Sequence, residues 1–174
     1  MVRAKRILLV SFVLLIVAAL LGGCNIGGED DTNHEGTLPD GLRKTWNGSG
    51  DGYIIGSSGP GDTNFQYTSD YEGAFTGIIS FVSNYSADSG VIIVKYTDPP
   101  THLIWGTEQT FYNGNDYTAI YYQNLSGNTV QLATAISLDD FSSVNTATLE
   151  EAKAKFTRSQ IGNYVGFWGT YSTN

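Results

Sequence analysis

Apolar and polar positions alternate in short bursts from Leu42 onward, and glycine-rich turns separate the bursts. Gly52 to Ser57 (GYIIGS) reads as a short strand after the turn Gly48-Ser49-Gly50-Asp51-Gly52. Asn64 to Thr68 alternates, with Phe65 and Tyr67 on one face. Tyr71 to Tyr85 supplies a longer strand. Phe75, Gly77, Ile79 and Phe81 share one of its faces, and Thr76, Ile78, Ser80 and Val82 the other. Val91 to Tyr96 (VIIVKY) is β-branched throughout its first half, and Lys95 turns Ile92, Val94 and Tyr96 inward. Asp98-Pro99-Pro100 ends that strand, because proline donates no ladder bond. Residues 98–115 form the longest connection. The clearest hairpin follows, Tyr117 to Gln123 and Thr129 to Ile136 around Asn124–Asn128. Tyr164 to Tyr171 (YVGFWGTY) reads as a closing strand.

One segment has helical spacing instead. Thr148 and Glu151 form a capping box, and Leu149, Ala152 and Phe156 fall on one face. Acids lead the segment, and Lys153, Lys155 and Arg158 follow, which suits the helix dipole. The whole pattern predicts a mainly β fold. It is an antiparallel meander barrel of about eight strands, with one short helix before the last strand. The helix would plug or flank the barrel, and the last strand would pair with the first near Trp46. A two-sheet β-sandwich is the alternative. Residues 42–174 thereby resemble small lipocalin-like and streptavidin-like β-barrels. Gly41 and Trp46 are too far apart for the lipocalin Gly-x-Trp, and Ser69-Asp70-Tyr71 comes too early for a second motif. The resemblance therefore implies an architecture and carries over no binding residue.

The amino terminus has a different pattern. Arg3, Lys5 and Arg6 precede an apolar run from Ile7 to Leu21, interrupted only by Ser11. This run is shorter than the roughly twenty residues a spanning helix needs. Gly22 and Gly23 then precede Cys24, which is the only cysteine. Residues 1–23 have the zones of an export signal. Leu21-Gly22-Gly23-Cys24 resembles the lipobox of bacterial lipoproteins. That resemblance implies cleavage before Cys24 and attachment of lipid, palmitate among the acyl groups, at the cysteine. A spanning helix and plain secretion without lipid are the alternatives. A single acyl chain holds a protein only marginally, at about 0.8 kcal/mol per buried CH₂. The several chains of the lipoprotein family imply permanent anchoring in the cell envelope. Asn25, where that family often places Asp for inner-membrane retention, favours the outer membrane where the source has one. Residues 24–41 then form the lipidated cysteine and a disordered tether with five acids, Glu29, Asp30, Asp31, Glu35 and Asp40. Glu29-Asp30-Asp31 lacks the spaced ligands of a calcium loop.

Charge narrows the partners. Nine Lys and Arg stand against seventeen Asp and Glu. After cleavage six face seventeen, a net charge of −11. This excludes a basic nucleic-acid footprint and docking on anionic headgroups. It keeps a tethered module clear of the membrane surface.

The chain shows no catalytic set, and the expectation is not an enzyme. Its two histidines, His34 and His102, lie in the tether and in the long connection. They support neither a metal site nor a Ser-His-Asp arrangement, and no phosphate loop calls for a cofactor. Aromatic residues are plentiful: eleven Tyr, eight Phe and three Trp. Most would fill strands. Trp105 and Tyr112, in the long connection, are the candidate ligand-binding residues. The expected function is noncatalytic binding of a small ligand or a partner by a lipid-anchored envelope protein. The alternatives are a structural or interaction protein of the envelope and a carboxylate-dependent hydrolase.

Overall fold

A computed structural model describes residues 35–70, 74–104, 107–110, 114–139 and 142–173. Cys24 and the expected signal lie outside the described residues, as do Trp105 and Tyr112. The described residues form ten strands: β1 (Thr45–Asn47), β2 (Asp51–Ile55), β3 (Asn64–Ser69), β4 (Phe75–Asn84), β5 (Gly90–Asp98), β6 (Thr101–Ile104), β7 (Thr107–Thr110), β8 (Tyr117–Ser126), β9 (Thr129–Thr134) and β10 (Gly169–Ser172). Eight of them close into an antiparallel barrel in the order β1-β10-β9-β8-β5-β4-β3-β2. This is the meander barrel that the alternation predicts, and the sandwich alternative falls. The last strand meets the first at Asn47 and Ser172. Closure removes the exposed edges that a meander of short strands would leave. The long connection between β5 and β8 contains a separate hairpin, β6–β7.

The barrel has apolar surface on both sides. Trp46, Phe65, Phe75, Ile92, Val94, Tyr96, Ile120, Val130 and Leu132 belong to the interior cluster. Phe81, Val91, Ile93, Ala119 and Tyr121 belong to a second cluster on the outer face, with Ala152 and Phe156. Burial on both faces explains why β5 is an unbroken apolar run and not an alternating one. The helix α1 (Leu149–Lys155) supplies the outer cover, so it flanks the barrel. Its capping box is complete. The Glu151 amide donates to Thr148 Oγ1 at 3.2 Å, and the Thr148 amide donates to Glu151 Oε2 at 3.3 Å.

Three expectations need correction. In β4 the alternation places Phe81 beside Ile79 and Val82 opposite them. A register shift between Ile79 and Phe81 adds one residue to the strand, so every later side chain changes face. Val82 therefore points into the barrel and Phe81 under α1. The closing strand is also shorter than expected. Residues Ile161–Tyr164 form a helical turn, α2, and only Gly169–Ser172 pair with β9. The Val165 amide donates to the Ile161 carbonyl at 2.9 Å, and the Tyr164 carbonyl accepts from Ile136 beyond the end of β9. Finally, the expected tether stops short of residue 41. The Gly36 amide donates to the Val82 carbonyl at 2.7 Å, and Asn84 Nδ2 donates to the Thr37 carbonyl at 3.0 Å. Leu38 and Leu42 are buried with the interior cluster, beside the turns after β2 and β8. They close one end of the barrel.

Gly77 marks a tight place in the wall. A Cβ there would stand 2.6 Å from the Lys95 carbonyl oxygen on β5. Only glycine lets the two backbones approach so closely beside the register shift at Thr76 and Gly77.

Candidate functional site

The end of the barrel opposite Leu38 and Leu42 is open. There β2 and β4 begin, β3 and β9 end, and β10 begins. A cavity of about 490 Å³ occupies this end. Its floor and walls carry Tyr53, Tyr67, Phe75, Leu132 and Tyr171. Its rim carries Asp51, Pro100, Ile136, Ser143, Phe167 and Trp168. Phe167 is 72% exposed, an unusual degree for a large apolar side chain at a cavity rim.

Alternation along adjacent strands brings the rings together. Tyr53 and Tyr67 are direct cross-strand partners on β2 and β3, and Tyr67 faces Phe75 on β4. The ring centroids of Tyr53 and Tyr67 are 4.9 Å apart, and those of Tyr67 and Phe75 5.4 Å apart. Tyr53 meets Tyr171 edge to face at 5.0 Å, across the closure between β2, β1 and β10. Phe75 meets Tyr96 edge to face at 5.2 Å. The result is a continuous aromatic wall from β10 round to β5. Edge-to-face pairs contribute about 0.5–1.5 kcal/mol each beyond their burial, so the wall is stiff as well as apolar.

The Asp51 carboxylate and the hydroxyls of Tyr53, Tyr67, Thr134, Ser143 and Tyr171 punctuate the lining. Tyr171 Oη donates to Asp51 Oδ2 at 2.5 Å. Tyr53 Oη and Thr134 Oγ1 share a hydrogen bond at 3.1 Å. Burial pushes both tyrosine hydroxyls well above their ordinary range. For Tyr171 the neighbouring Tyr53 and the bond to the Asp51 carboxylate act in the same direction. Both phenols therefore stay protonated at any physiological pH and serve as neutral donors.

The sequence-based candidates Trp105 and Tyr112 lie outside the described residues. In sequence Trp105 falls between β6 and β7 and Tyr112 follows β7, and this hairpin leaves the barrel at the cavity end, where β5 ends at Asp98 and Pro100 lines the cavity. The residues that do line the cavity escaped the sequence reading. In the sequence Asp51 falls within a turn pattern, and Tyr53 within an ordinary short strand. A usable signal was present: inward aromatics recur at the same end of consecutive strands, at Tyr53, Tyr67 and Phe75. Comparison with protein families, with curated proteins and with solved structures found no match.

Proposed function

We propose that this chain is a lipid-anchored protein of the bacterial cell envelope whose barrel binds a small ligand without transforming it. The cavity carries the binding half of the reading. Its volume falls in the range of about 300–1,000 Å³ typical of small-molecule sites. Its lining mixes aromatic and apolar side chains with a carboxylate and several hydroxyls, a combination that can fix a ligand's orientation. One end of the barrel is closed by Leu38 and Leu42, so a ligand enters and leaves at the rim. The anchoring half rests on Leu21-Gly22-Gly23-Cys24 and the apolar run before it.

Trp168 at the rim provides a fluorescent reporter. Titrating the detergent-solubilised protein with cationic, neutral and anionic aromatic and alkyl compounds should give saturable quenching for at least one class. Thr134→Phe, which fills the mouth beside Tyr53, should weaken that binding at least about tenfold, since the ring takes the ligand's place. No saturable binding from any class, or equal binding to the filled variant, would defeat the reading.

The anchor has its own test. Wild type should partition with membranes and into the detergent phase, whereas Cys24→Ser should remain uncleaved or leave the lipid phase. A processed, membrane-bound serine variant would remove the lipobox from the argument.

A further inference from the structure

Granting that the cavity binds a small ligand, we infer that its ligand is an organic ammonium ion. Among the described residues Asp51 is the carboxylate of the lining, and no Lys, Arg or His lines the cavity. Among the described residues Asp51 has no basic partner, and its one side-chain hydrogen bond comes from Tyr171. That bond occupies Oδ2, Oδ1 lies against Gly48 of the turn before β2, and no cationic group of the described lining neutralises the carboxylate.

The other polar side chains of the described lining, among them the hydroxyls of Tyr53, Tyr67, Thr134, Ser143 and Tyr171, are neutral and offer an anion no opposite charge. The Tyr171 hydroxyl is committed to Asp51, and the Tyr53 hydroxyl is committed to Thr134. An anionic ligand would meet an unscreened carboxylate and find no cationic donor in the lining. A cation meets the opposite situation. The rings of Tyr53, Tyr67, Phe75 and Tyr171 share the cavity with the carboxylate. Aromatic faces attract ammonium groups within about 6 Å of the ring centroid, more strongly once water is excluded. The net charge of the chain is −8, so the surrounding field also draws cations toward the mouth.

The reading separates cleanly from generic apolar binding with a pair of isosteres. Phenyltrimethylammonium and tert-butylbenzene have the same shape and differ in charge. Burial of apolar area alone favours the neutral compound, because the cation loses its hydration on binding. Calorimetric or fluorescence titration of wild type should instead show the cation binding tighter by about tenfold or more. Asp51→Asn keeps the side-chain shape and an acceptor for Tyr171, and should erase most of that preference. A thermal melt of the variant checks that the barrel is intact, and the wild-type comparison stands without it. Equal or tighter binding of tert-butylbenzene would overturn the cation assignment and leave the small-ligand function standing. Failure of both isosteres, with saturable binding of an anionic compound, would overturn the assignment in the same way. Failure of every compound class would defeat the binding function itself.

Discussion

Trp46→Ala is expected to lower the unfolding free energy by about 3–5 kcal/mol. Trp46 lies on the shortest wall of the barrel, the three-residue β1, and is fully buried. Two effects combine there. Removing the indole leaves a cavity among the interior residues that the short strand cannot collapse to fill. It also removes the bond from Nε1 to the Leu42 carbonyl, 2.9 Å long and buried. That carbonyl keeps a second donor, the Lys44 amide at 2.9 Å, so the lost bond adds only about 1 kcal/mol. The same bond ties the Leu42 plug to the strand that closes the barrel, so both would loosen together. Typical domains hold only about 5–15 kcal/mol in total. Urea melts of the variant should therefore show a large fall in midpoint. Trp46→Phe, which keeps a ring and loses the donor, should fall between the alanine variant and wild type. A loss below about 1 kcal/mol for alanine would mean that β1 contributes little to closure.

Trp46 also shows how far the sequence could be read. It sits where the first strand was expected to meet the last, and the pairing of Asn47 with Ser172 realises that expectation. Strands whose pattern is local and strong were legible. In β5 the inward set Ile92, Val94 and Tyr96 lies in the interior cluster, and Lys95 is half-exposed. The β8–β9 hairpin and the Thr148 capping box depend on neighbouring residues, so sequence alone exposes them. Features that depend on distant partners were not legible. The register shift at Ile79 and Phe81 has no residue signature in the chain. Leu38 looked like one apolar residue in an acidic tether, because the barrel end it covers is assembled from β2, β4 and the turn after β8. The cavity is of the same kind. Asp51 and Tyr171 are 120 positions apart, and only closure of the barrel joins them.

The inner and outer clusters assign separate roles to the two sides of the wall. On the inner side, strand ends converge on the aromatic wall, and stability there competes with keeping space open for a ligand. On the outer side, α1 seals Val91, Ile93, Ala119 and Tyr121, and no open volume has to be maintained. Substitutions on the outer side should therefore report stability with little effect on binding. Those around Asp51 and Tyr53 should report binding first.

Phe156→Ala makes the outer side measurable, with an expected loss of about 3–5 kcal/mol. Phe156 is fully buried at the C-terminal end of α1, and its ring meets Tyr164 of α2 edge to face at 5.7 Å. It belongs to the outer cluster with Phe81, Ile93 and Tyr121. Losing the ring removes the contact that holds α1 and α2 against the barrel. Thr148→Ala removes one capping acceptor on an exposed turn and should cost about 1 kcal/mol. Lys153 lies with Nζ 5.1 Å from the centroid of Phe81 and donates to Glu150 at 3.0 Å. Its truncation should cost about 0.5–1 kcal/mol. Ala154 is exposed on the far face, and Ala154→Gln should lie within about 0.5 kcal/mol of wild type. Denaturant melts of the four variants should rank Phe156 first by a wide margin and Ala154 last. Equal effects at Phe156 and Ala154 would mean that α1 is not docked, and β5 would lose the cover that explains its apolar outer face.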